Sequence, residues 1–102
     1  MLTLPTMKVW YDKILSGEKG EEYRSKIPYW EKRLTSAFGM PPEETARSGK
    51  SAEVLLRNGY NRKSPTIKAR VHLRIGQGKR EWGAVPGVDY FCLCIEDYEE
   101  VL

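Results

Sequence analysis

The chain has 102 residues, 40% apolar and 30% charged, with a net charge of +3. That balance is ordinary for one globular domain over residues 1–102, excludes a disordered chain and makes two domains implausible. No apolar run approaches the ~18 residues that cross a membrane, and MLTLPTMKVW lacks the regions of a signal peptide, so a cytoplasmic protein with no membrane partner is expected.

Leu2 to Leu4 read as a short strand stopped by Pro5, which has no N–H for a ladder. Thr6 is placed to cap a helix over MKVWYDKIL, with Val9, Trp10, Ile14 and Leu15 as its apolar stripe and Gly17 as its left-handed end. EEYRS is short enough for a strand entered from Gly20, which would put Glu22 and Arg24 on one face and Glu21 and Tyr23 on the other. Pro28 opens a second helix, on which Trp30, Leu34, Ala37 and Phe38 share a stripe. A Gly/Pro/Ser-rich connection follows, with a helical turn around Glu43–Arg47.

AEVLLR reads as a strand that ends at the Asn58-Gly59 turn pair. After the polar loop NGYNRKSP, the segment TIKARVHLRI has the clearest period of two in the chain. Ile67, Ala69, Val71, Leu73 and Ile75 alternate with Lys68, Arg70, His72 and Arg74, giving one apolar and one basic face. A loop around Trp82 leads to the closing strand DYFCLCIEDY. Helices early and strands late predict a small α+β domain: a curved sheet or partly closed barrel of five to six strands with two to three flanking helices.

Cys92 and Cys94 alternate on the closing strand and so share a face, as two buried, reduced thiols would. Zinc needs four donors and His72 is the only histidine, so no metal or other cofactor is expected. The middle of the chain is basic and its carboxyl end, IEDYEEV, acidic, a separation that makes a one-sided basic surface available to a polyanion.

The stretch GEKGEEYR satisfies G-x-K-x-x-E-x-R through Gly17, Lys19, Glu22 and Arg24. It follows a strand and an amphipathic helix. With PYWEKRL, the RNGY turn, the alternating strand and WGAVPG…YFCLCI, the arrangement resembles the ASCH domain, a PUA-like family of RNA-associated proteins, in its small stand-alone form from bacteria and their phages. The resemblance implies a β-barrel with helices beside it and a cleft that includes the motif. It also implies RNA binding or coactivator function, and for some members hydrolysis of N(4)-acetylcytidine or of RNA.

On the residues alone, Lys19, Glu22 and Arg24 also fit a surface ion pair worth about 0–1 kcal/mol. Taken with the resemblance they are expected to line a cleft for RNA or a nucleotide-like ligand: Lys19 a compact cation, Arg24 a flat fork for phosphate or carbonyl oxygens, Glu22 the carboxylate that fixes both. Arg57, Asn58, Tyr60, Arg62 and Lys63 form a second candidate set, because rings stack bases and cations take phosphates; a plain turn with solvated charges fits them equally.

The alternative is a small hydrolase, an amidohydrolase or ribonuclease type, with Lys19 and Glu22 catalytic. The acetylcytidine amidohydrolases use a Thr nucleophile within the motif; this chain has Glu22 at that place, a poor replacement. His72 has no visible Ser or Cys partner, Trp82 reads as a barrel plug or a base-stacking ring, and Trp10 and Trp30 read as core. A third reading makes the chain an interaction domain, monomeric or weakly dimeric, with exposed Tyr11, Tyr29 or Tyr98.

Overall fold

The computed structural model describes all of residues 1–102. In chain order the elements are β1 (Leu2–Thr6), α1 (Lys8–Leu15), β2 (Glu21–Ser25), α2 (Pro28–Phe38), α3 (Pro42–Ser48), β3 (Ser51–Asn58), β4 (Thr66–Gln77), a 3-10 turn (Arg80–Trp82) and β5 (Asp89–Glu100). The five strands form one mixed sheet in the order β1-β3-β4-β5-β2, curled into a half-barrel with β1 and β2 at its two edges. Only β1 and β3 run parallel; the other three pairings are antiparallel. No helix is long and apolar enough to cross a membrane.

The period-two pattern of β4 becomes its burial. Ile67, Ala69, Val71 and Leu73 are buried on the concave face, with Val54 and Leu56 of β3 and Phe91 and Leu93 of β5. Leu4 of β1, Tyr11 and Ile14 of α1, and Leu34 and Phe38 of α2 close over them as one cluster. A second, smaller core lies on the convex face, where Tyr23, Ala84 and Cys92 pack with Trp82, Tyr90 and Cys94. The loop after β4 folds over this face, and Gly78 lets it come close: a Cβ there would stand 2.5 Å from the Tyr23 ring and 2.8 Å from Ala84.

Three local expectations need correction. Pro5 does not stop β1, which runs on to Thr6; β1 is an edge strand, where a missing N–H costs no ladder bond. Thr6 does not cap α1. Its hydroxyl donates to the Leu4 carbonyl, and the N-cap is Met7, with no side-chain capping bond. The buried stripe of α1 is Tyr11 and Ile14, while Val9 and Leu15 face solvent, because the helix meets the sheet one position away from the stripe with the most apolar residues. Gly17 does take a positive φ of 85° after α1, and the turn foreseen around Glu43–Arg47 is the helix α3.

The basic face of β4 is not bare. β5 lies antiparallel beside it with β2 beyond, and β3 lies on its other side, so carboxylates of all three meet its cations. Lys68 lies 3.8 Å from Glu53 and 4.0 Å from Glu99, Arg70 3.9 Å from Glu96, and Arg74 2.9 Å from Glu21. His72 Nδ1 is 2.8 Å from Glu96, to which Ser51 also donates. Charges that separate along the sequence therefore recombine across strands, and the expected one-sided basic field is largely neutralised there.

Candidate functional site

Glu22 and Arg24 stand opposite Leu93 and Phe91 in the β2–β5 register, so their side chains point to the concave face. At an edge strand the apolar core gives way to charge. Lys19 reaches the same point from the turn between α1 and β2, which Gly17 and the bond from the Lys19 N–H to the Lys13 carbonyl fix in place. Lys19 is 2% and Glu22 4% exposed, so the three groups meet inside the protein and not in open water.

The geometry is a chain of charge-assisted bonds. Lys19 Nζ lies 2.9 Å from Glu22 Oε1, and Arg24 Nη1 lies 3.2 Å from Glu22 Oε2. Lys19 also donates to the carbonyl of Trp82, and its ammonium stands 4.5 Å from the centre of the Trp10 ring and 5.3 Å from that of Tyr23. Arg24 donates to the carbonyls of Tyr23 (2.7 Å) and Pro5 (2.8 Å), with its guanidinium 5.2 Å from the Trp30 ring. Burial lowers the pKa of Lys19, and attraction to Glu22 only partly offsets it. Two cations share one carboxylate, which leaves an excess positive charge.

These side chains line a cleft of about 220 Å³ whose walls also include Pro5, Thr6, Met7, Trp10, Trp82 and Gly83. Gly83 has a positive φ of 100°, and a Cβ there would come within 3.0 Å of the Trp10 ring, so glycine lets the loop close on the aromatic wall. The arrangement suits a flat, polar group: aromatic faces to hold it, a carboxylate to accept its N–H groups, and cations to favour its oxygens or phosphate.

The second candidate set divides. Asn58 and Tyr60 line a neighbouring depression of about 230 Å³ with Pro5, Thr6, Met7, Lys8 and Gly59. Arg57 lies half-buried on β3 beside Pro5, its Nε buried without a hydrogen-bond partner, and it lines neither cavity. Arg62 and Lys63 are exposed on the loop beyond Tyr60 and line neither. Of the tyrosines proposed for partner contact, Tyr11 is buried, with its hydroxyl on Glu100, so it is not an exposed contact. Tyr98 is half-buried and donates to the Leu15 carbonyl, while Tyr29 is exposed.

Trp30 packs half-buried against the main core, as its stripe predicts, and also faces Arg24; Trp10, read as core, is instead half-buried against Lys19. Local pattern makes Pro5, Thr6 and Met7 only the end of a strand and the start of a helix, yet they line the cleft. One signal was present: of the three tryptophans of the chain, Trp10 and Trp82 line the cleft and Trp30 faces its Arg24. Cys92 is buried and Cys94 half-buried, the latter with its thiol on Glu21, on the opposite face of the sheet from the cleft. No group of three His, Cys, Asp or Glu side chains is placed to hold a metal ion.

Comparison of the chain with protein-family models, with curated proteins and with solved structures gives no match.

Proposed function

We propose that this protein is an ASCH-like binding module of PUA-like type that takes RNA, or a nucleotide-like piece of it, in the cleft beside Lys19, Glu22 and Arg24. The observation that supports this reading is the burial of two cations and one carboxylate from a single eight-residue motif in an aromatic-walled cleft. A surface ion pair needs no such enclosure. A buried pair of this kind is expensive to desolvate and is weak evidence for stability, so its place in the lining of a cleft, with Arg24 as the most exposed of the three, favours a ligand role.

Hydrolysis is the less favoured reading. The cleft wall carries one aliphatic hydroxyl, Thr6, and that hydroxyl donates to the Leu4 carbonyl. Lys19 is engaged by Glu22 and Trp82. A nucleophile needs a base within hydrogen-bond reach, and the contacts of Thr6 do not supply one.

Titration with short RNAs, followed by tryptophan fluorescence at several salt concentrations, tests the proposal. Saturable binding that weakens with salt, and that Lys19→Met reduces without changing the circular dichroism, supports it. Wild-type protein that binds no RNA or nucleotide at low salt refutes it. Incubation with acylated cytidines and labelled RNA reads out the alternative, since turnover abolished by Lys19→Met would make the protein an enzyme.

A further inference from the structure

We infer that the site is bipartite and that its ligand is a segment of at least two linked nucleotides, one base in the cleft and the next on Tyr60. The inference rests on the proposed function and extends it to the size of the ligand. The cleft of about 220 Å³ and the depression of about 230 Å³ share Pro5, Thr6 and Met7 as a common wall. Each alone falls below the ~300–1,000 Å³ of typical small-molecule sites, whereas the two together fall within that range. One ligand that crosses the shared wall uses both.

The two chambers differ in chemistry. The inner one has charge and three aromatic neighbours, which suits a base read by its polar edge. The outer one presents Tyr60, at 87% exposure the most open of the large apolar side chains, which suits stacking without sequence preference. Its loop is held at the base and open at the tip. The Gly59 N–H donates to the Thr6 carbonyl, in the shared wall, and the Asn58 N–H to the Pro65 carbonyl. The ring is thus carried on a tethered turn beside the cleft, which reduces the ordering cost of binding. Lys8, exposed and paired with Asp12, also lines the outer depression, next in sequence to the shared wall.

The test uses the full chain, titrated with the four ribonucleoside 5′-monophosphates and with pApA, pCpC, pGpG and pUpU. At least one dinucleotide is expected to bind more tightly than its mononucleotide, by about 5- to 150-fold, the worth of one base stacked on an aromatic ring. Tyr60→Ala is expected to remove that advantage and leave mononucleotide affinity within about twofold, and Tyr60→Phe to retain it. Equal affinity for mono- and dinucleotides, or a Tyr60→Ala variant that keeps the dinucleotide advantage, overturns the inference and leaves the proposed function standing. Wild-type protein that binds none of these probes, and no longer RNA, overturns both.

Discussion

Arg24 on one edge strand donates a 2.8 Å hydrogen bond to the carbonyl of Pro5 on the other edge strand. No ladder joins β1 to β2, so this guanidinium spans the open seam of the half-barrel. Its second nitrogen serves Tyr23 and Glu22. Arg24→Ala is expected to destabilise the fold by about 1.5–3 kcal/mol, the range for a hydrogen bond to a charged group. Arg24→Lys should recover only part of this, because one ammonium cannot reproduce a planar fork. Urea midpoints of the three proteins check the order.

Glu22 should be the costlier position. Its removal leaves Lys19 and Arg24 facing each other across a buried gap, whereas removal of Arg24 leaves an intact Lys19–Glu22 pair at 2.9 Å. Breaking a buried ion pair by deleting one partner costs about 3–5 kcal/mol, and Glu22→Ala is expected in that range. Measured by denaturant unfolding, a loss smaller than that of Arg24→Ala would contradict the shared-carboxylate account.

Gly78→Ala tests the close approach of the loop that carries Trp82. The added methyl would meet the Tyr23 ring at 2.5 Å and Ala84 at 2.8 Å, with buried neighbours on both sides. Overpacking of this kind costs about 1–3 kcal/mol. The loop is expected to lift, which moves the Trp82 carbonyl away from Lys19. A lower melting temperature together with a changed tryptophan emission spectrum is the expected result.

Acid sensitivity follows from Glu21. Burial works to raise its pKa, but hydrogen bonds from Arg74, Tyr23 and Cys94 outweigh burial and hold it below the ordinary value of 4.5. A carboxyl depressed in the folded state means that the unfolded chain binds more protons in acid. Its contribution to stability is complete above the ordinary carboxylate range and disappears as pH falls through and below it. The melting-temperature gap between wild type and Glu21→Gln is expected to close as pH drops from about 7 to about 3. A gap of constant size would show that the Arg74–Glu21 pair contributes nothing to folding.

The thiol of Cys94 should be inert. Burial, reinforced by the hydrogen bond to Glu21, pushes its pKa up to about 12. The thiolate is the reactive form, so alkylation near neutral pH is expected to run about a thousandfold slower than for an unperturbed thiol. Glu21→Gln should accelerate it. Mass spectrometry of the intact protein after timed iodoacetamide treatment gives both rates.

Periodicity carried most of the fold. The alternation in TIKARVHLRI and the stripe Trp30–Leu34–Phe38 predict β4 and α2 because each depends on a single face against one core. The α1 stripe misled for the opposite reason: Val9 and Leu15 are apolar but lie off the contact face, and Tyr11 is buried with its hydroxyl partnered by Glu100 from the far end of the chain. Charge misled in the same way, since the partners of Lys68, Arg70 and Arg74 lie on other strands of the sheet, most of them remote in sequence. The meeting of Lys19, Glu22 and Arg24 was legible because all three lie within six residues, on a turn and one strand. The rest of the cleft comes from Pro5–Met7, Trp10 and the turn at Trp82, segments that only the folded topology brings together.

The sheet order also sets when such a cleft comes into being. The motif belongs to the first quarter of the polypeptide, but β2 pairs only with β5, which begins at Asp89, and β1 must wait for β3. During synthesis the segment with the charged triad therefore leaves the ribosome long before its scaffold exists. Formation of the cleft is bound to late, long-range contacts, which are the slow kind. A chain released before its final strand would lack the partner that β2 needs and possess no such cleft.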